Sequence, residues 1–284
     1  MEKDILKTIQ YFIFFHYPPA FGEIQRFFPR PISAKILEKR LKRLVKTDRL
    51  IEQANRYTPQ EYKSLLSGHK SKMQTAKNKI DKVRPYLRFL ALWPQIKLVG
   101  LSGSVAMMSA VEKDDIDLFI ITEKRQLWTG RFIANIGAWL YGLKRQRGVR
   151  QAKDKVCLNL FFDEGNLVVP VKKRSSFVAH EVLQMKPLID KDESYKRFLG
   201  ANSWVFKLFP NAVGMVEDSF FSCDPSHLGN LSESILKKLQ LYLINRHKTT
   251  EIITDTQLWF FPDDFEKKLP MSRTNKKNIP KKTK

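Results

Sequence analysis

The stretch from Ile96 to Thr122 constrains this chain most. Ile96–Leu101 and Ile116–Thr122 are short apolar runs of β type, and between them come Gly103-Ser104 and then three acids in four residues, Asp114, Asp115 and Asp117. Side chains alternate along a strand, so Asp115 and Asp117 share a face where the second run opens. Two carboxylates side by side repel each other unless a cation neutralises them. A divalent cation held by paired carboxylates plus substrate phosphates is a common Mg²⁺ arrangement. Glycine at 103 lets the backbone approach a phosphate, and the Ser104 hydroxyl with neighbouring amides can hold its oxygens.

Around this stretch the periodicities alternate. Gln126–Lys144 predicts a helix, and Val156–Phe162 with Leu167–Val171, on either side of Asp163-Glu164-Gly165-Asn166, predicts a hairpin. Residues 95–174 thus form a small mixed sheet with helical cover, and the fold class is α+β (mixed). Upstream, Asp4–His16 has helical spacing, Phe21–Phe28 is a short segment, and Ser33 is placed to cap a helix whose Ile36, Leu37, Leu41, Leu44 and Val45 form one stripe. Two β-prone pieces, Leu50–Glu52 and Arg56–Thr58, follow around Ala54-Asn55. Three helices closed by a hairpin resemble a winged helix-turn-helix over 1–59. Tyr62, Leu66, His69, Met73, Ala76, Ile80, Val83, Leu87 and Leu90 then mark the seam of a basic connecting helix over 60–94, with Pro85 expected to kink or split it. Residues 175–250 read as a helical C-terminal domain. The segment 251–284 ends in a tail, Lys267–Lys284, with eight Lys or Arg and no acid, which predicts disorder.

Charge narrows the partners. Lys and Arg number 51 against 29 Asp and Glu, a formal net charge of +22 in 284 residues, which favours polyanions. Lys35, Lys39, Arg40, Lys42, Arg43 and Lys46 line the third helix and are candidate nucleic-acid contacts, the alternative being an ordinary solvated face. The two cysteines, Cys157 and Cys223, are too few for a disulfide scaffold, and with no CxxC pair a thiolate zinc site is excluded as well. A reducing cytoplasm suits such a chain. Phe132–Leu143 is the most lipophilic segment, but it falls short of the ~20 residues that span a bilayer. It reads as a buried helix, and no membrane partner is expected. Trp139, Trp204, Phe206 and Phe209 are expected in the core. No GxSxG elbow or phosphate-binding P-loop occurs, and His180-Glu181 meets Gln184 where a zinc protease needs a second His.

Gly103-Ser104, ten residues, then Asp115-Ile116-Asp117 and an apolar strand is similar to the signature of the DNA polymerase β-like nucleotidyltransferase superfamily. AHEVLQMKPLI and ANSWVFKLFPNA resemble segments of bacterial proteins that carry this domain. The resemblance implies transfer of a nucleoside monophosphate from an NTP to an acceptor hydroxyl. Gly103 and Ser104 would cradle the β- and γ-phosphates, and Asp115 and Asp117 would hold Mg²⁺ or Mn²⁺. It also implies a third carboxylate on a neighbouring strand. At that strand the sequence offers Asn159, or Asp163 if the backbone turns it inward. The alternative is a winged-helix nucleic-acid-binding regulator whose nucleotidyltransferase domain is not catalytic.

Overall fold

The computed structural model describes residues 1–145, 152–214, 233–245 and 252–260. The basic tail and Cys223 lie outside them. The described residues form two compact units, one of residues 1–69 with 209–211 and one built from the rest.

The first unit begins with α1 (Glu2–Phe14), α2 (Phe21–Arg26) and α3 (Ala34–Lys46). Ile5, Ile9 and Ile13 of α1 close on Ile24, Phe28, Leu37, Leu41 and Leu44 in one buried cluster. The Ser33 hydroxyl caps α3 by accepting from the Ile36 amide at 3.4 Å. Ile36 itself is 48% exposed, so the buried stripe of α3 is narrower than its apolar content suggests. β1 (Ile51–Gln53) and β2 (Arg56–Thr58) pair antiparallel. Ala54 and Asn55 both take positive φ, 51° and 60°, the backbone that a tight two-residue hairpin needs. The helix α4 (Ser64–Ala91) continues through Pro85 as one element, so the split, one of the two outcomes expected there, does not occur.

The second unit is built on a six-stranded mixed sheet. Its strands are β3 (Ile96–Leu101), β4 (Ile116–Thr122), β5 (Val156–Asp163), β6 (Lys186–Asp190), β7 (Ile252–Ile253) and β8 (Gln257–Trp259), in the order β6-β3-β4-β5-β8-β7. β4 runs parallel to β5, and the other neighbouring pairs are antiparallel. β3 and β4 are interior strands, and Leu98, Val99, Ile120 and Ile121 are fully buried, as mainly apolar runs require of strands covered on both faces. The one-turn helix α5 (Gly103–Ala106) follows β3. The remaining helices are α6 (Leu127–Leu140), α7 (Ser176–Gln184), α8 (Ser194–Ala201), α9 (Trp204–Leu208) and α10 (Glu233–Asn245). The class is therefore mixed α+β.

Three expectations need correction. Leu167–Val171 is not the hairpin partner of β5. Its backbone is satisfied instead by Asn202, which donates to Leu167 O and accepts from Val169 N, both at 2.8 Å, and the vacated edge of β5 is taken by β8. Residues beyond 175 are not purely helical, because β6 pairs with β3 and carries Pro187 at the sheet's edge, where a missing amide is tolerated. Trp139 on α6 is 64% exposed, whereas Ile133, Ala134 and Ala138 of that helix are buried, so α6 hides one face only. Among the described residues no helix is long and apolar enough to cross a membrane.

Candidate active site

The turn after β3 is tied to β4, since the Ser102 amide donates to Asp117 O at 3.0 Å. Gly103 follows with φ +66°, and a Cβ there would lie 2.5 Å from Asp117 Oδ2. Both facts demand glycine: the left-handed backbone and the carboxylate pressed against its Cα. Ser104 behaves differently. Its hydroxyl donates to Asp114 Oδ2 at 2.7 Å, and the Val111 amide donates to the same oxygen at 3.0 Å, so Asp114 staples the loop. Lys79 of α4, only 3% exposed, holds that loop from beneath through Glu112 O at 2.9 Å, Asp114 O at 2.8 Å and Asp154 Oδ1 at 2.7 Å. Burial raises the Asp154 acid, but hydrogen bonds from Lys79 and Lys82 outweigh it and keep the carboxyl below its usual range.

Asp115 and Asp117 face one way from the start of β4, as the alternation predicts. Asp115 Oδ2 meets the Arg145 guanidinium at 2.6 Å, and the same Nη1 donates to Cys157 Sγ at 3.0 Å. In the parallel register Asp117 lies directly opposite Cys157. The ligand atoms of Asp115, Asp117 and Cys157 all lie within 4.8 Å of one another. Burial pushes the Asp117 carboxyl up to about 7, and the Asp115 and Glu181 carboxylates add to the shift against the opposing Arg145 charge. Burial also pushes the Cys157 thiol up to about 12, with Asp117 and Asp115 adding to it. Glu181 on α7 is pushed up to about 7 by burial, partly offset by the hydrogen bond it accepts from the Gly103 amide. One glycine thus touches two carboxylates, Asp117 and Glu181.

The two candidates for a third ligand fare differently. The register steps from Leu118↔Leu158 to Phe119↔Leu160, leaving Asn159 as the extra residue of a bulge. Its Nδ2 donates to Asp117 Oδ1 at a long 3.4 Å, so it orients that carboxylate as a donor. Asp163 is excluded. It sits opposite Thr122, five residues along β4 from Asp117 and so roughly 17 Å away, and accepts from the Arg125 and Gly165 amides at 2.5 and 2.7 Å as a turn residue. The sequence reading missed Cys157, Arg145 and Glu181. Cys157 lies two residues before Asn159 and therefore on the same strand face, which is a legible hint. Arg145 and Glu181 arrive only through tertiary packing. His180, beside Glu181, is a core residue: its Nδ1 lies 2.7 Å from Ser176 O, and burial pushes the ring down to about 3.

On α3, in the other unit, Lys35, Lys39, Lys42, Arg43 and Lys46 are exposed and Arg40 is half-buried. Lys42 pairs with Glu38 at 2.6 Å and Arg43 with Glu2 at 3.7 Å, and no acid among the described residues pairs with the other four. No family model, curated protein or solved structure matches the chain.

Proposed function

We propose that the chain is a metal-dependent nucleotidyltransferase that moves a nucleoside monophosphate from an NTP to an acceptor hydroxyl. The observation that carries this reading is Gly103 packed against the Asp117 carboxylate with Asp115 beside it, a backbone turn and an acid pair within reach of one phosphate group. The donor set fits a divalent cation. Asp117 sits near neutrality because burial and its neighbour Asp115 both disfavour its charge, and a cation shared by the pair relieves both costs. Asp115 and Asp117 would hold Mg²⁺ or Mn²⁺. When bound, the cation neutralises phosphate charge and makes the acceptor hydroxyl more acidic.

The chain's own residues do the rest. Gly103 leaves room at the backbone for phosphate oxygens. Glu181 now accepts from the Gly103 amide, and an incoming phosphate oxygen would take over that bond. Asn159 and Lys79 fix the acids, one by holding the Asp117 carboxylate and the other by holding the loop ahead of Asp115. The acceptor oxygen forms its bond to the α-phosphorus as the bond to the bridging oxygen breaks. Pyrophosphate leaves and the hydroxyl proton passes to solvent.

Calorimetry of the four NTPs tests this reading. Binding is expected with Mg²⁺, at least tenfold weaker with EDTA and in Asp115→Asn/Asp117→Asn, and absent in Gly103→Ala, whose new methyl would collide with Asp117. Failure of all four NTPs to bind with any divalent cation would overturn it.

A second reading has one observation in its favour. Arg145 already supplies a positive charge to Asp115, as expected of a site that has given up metal, and the exposed cations of α3 then become the functional surface. The first unit's three helices and hairpin would be a winged helix-turn-helix that binds nucleic acid. This reading expects duplex DNA binding that weakens steeply with salt and is lost in Lys39→Glu/Arg43→Glu, as measured by fluorescence anisotropy at several salt concentrations. Unchanged binding in that variant would remove α3 from consideration.

A further inference from the structure

We propose that Cys157 is the third ligand of the cation site and that it tunes the site toward a cation softer than Mg²⁺, such as Zn²⁺ or Co²⁺. The inference rests on the reading of Asp115 and Asp117 as cation ligands and concerns which cation they hold and with what help.

Position is the first argument. The parallel register sets Cys157 directly across from Asp117, on the strand where a third acid would be expected, while Asn159 is displaced into the bulge and Asp163 faces the far end of the strand. Distance is the second. Two donors on one cation, with metal–oxygen and metal–sulfur bonds of about 2.1 and 2.3 Å, lie at most about 4.4 Å apart. Round a tetrahedral cation those bonds set the donors about 3.5 Å apart, and the three donor atoms stand within 4.8 Å of one another, so a side-chain adjustment of about an ångström closes the set. The Arg145 guanidinium is the third. It reaches Asp115 at 2.6 Å and Cys157 at 3.0 Å through one nitrogen, which marks the space between carboxylate and sulfur as a seat for positive charge.

Chemistry decides the class of cation. Mg²⁺ demands hard oxygen donors, whereas a thiolate favours Zn²⁺ and Co²⁺, which also lie above Mn²⁺ in intrinsic affinity for mixed oxygen and sulfur sites. The lack of a CxxC pair argues against a thiolate zinc site, and the proposal departs from that expectation, because one thiolate with two carboxylates needs no such pair. On coordination the Cys157 S–H proton leaves to solvent, the sulfur–metal bond forms, and Arg145 gives up its contacts to Asp115 and Cys157.

The test uses the full chain stripped with EDTA and titrated with single metal salts. Co²⁺ is expected to bind with one-to-one stoichiometry and to bring up a thiolate-to-cobalt charge-transfer band in the near ultraviolet. Calorimetry is expected to show Zn²⁺ binding at least tenfold more tightly than Mg²⁺. Cys157→Ser should abolish the band and weaken Zn²⁺ at least tenfold while changing Mg²⁺ by less than threefold, and Cys157→Asp should strengthen Mg²⁺ binding with no band. Co²⁺ binding without the band, Mg²⁺ binding as tight as Zn²⁺, or no cation binding at all would each overturn the proposal. NTP binding in the presence of Mg²⁺ alone judges the nucleotidyltransferase reading separately.

Discussion

The two units handle charge in opposite ways. In the helix-and-hairpin unit the cations of α3 other than the half-buried Arg40 are exposed, and its buried cluster is assembled from residues such as Ile9, Leu37 and Leu41. In the sheet unit Lys79, Lys97, Lys191 and Asp163 are all buried. Each of these is matched. Lys191 donates to Ala91 O and Trp93 O at 2.8 and 2.9 Å, Lys97 meets Asp192 at 2.9 Å, and Asp163 accepts two amides. Burial pushes the Asp163 acid up as well, but Asp117 and Glu181 are the ones carried to about 7. Two acids poorly compensated around one left-handed glycine cost stability where they sit, which is what the proposed site would require.

Asp117→Asn sharpens this contrast most. The folded protein holds the Asp117 proton up to about pH 7, well above the usual carboxylate range, so the acid's contribution is favourable below about pH 4 and is lost as pH rises through 7. Asparagine never pays that cost. In EDTA the variant should exceed the parent by on the order of 2 kcal/mol at pH 8, after allowance for solvent at a partly exposed carboxyl, with the difference vanishing below about pH 4. Urea unfolding at both pH values measures it. A variant no more stable than the parent at pH 8 would mean that the site is not strained and that the contrast between the units is illusory.

What could be read from the sequence follows from where each signal resides. β3 and β4 are mainly apolar runs, interrupted only by Lys97 and by Asp117 before the closing Thr122, and the structure starts and ends them at the residues where the runs start and end. The Gly103 turn and the shared face of Asp115 and Asp117 are equally local, since they depend on one glycine and the two-residue period of a strand. The partners of β5 are not local. Its neighbour β8 is three residues long and lies about a hundred positions downstream, and it is seated by Gln257, which donates to Asn166 O and Val168 O at 2.9 Å. The parallel register that brings Cys157 to Asp117 also leaves no mark in composition. Glu181 sits on an ordinary amphipathic helix, and only the packing of α7 carries its carboxylate to the Gly103 amide.

The same small change made once in each unit separates structure from site. Ser33 caps α3 with a 3.4 Å contact to the Ile36 amide, and Ser175 caps α7 with a 3.2 Å contact to the Val178 amide. Truncating either serine to alanine leaves a helix amide unmatched, at a cost of about 0.5–1 kcal/mol, with the longer contact at the lower end. The effects on stability are therefore close to equal and small. Their expected effects on the site differ, because α3 belongs to the other unit whereas α7 carries Glu181 within its second turn. Ser33→Ala should leave NTP and cation affinities unchanged. Ser175→Ala loosens the first turn of the helix that carries Glu181 to the Gly103 amide, and a two- to threefold change in NTP affinity is expected, read by calorimetry beside the urea midpoints. Equal responses in both variants would show that Glu181 is held by its packing alone and that the α7 cap has no part in the site.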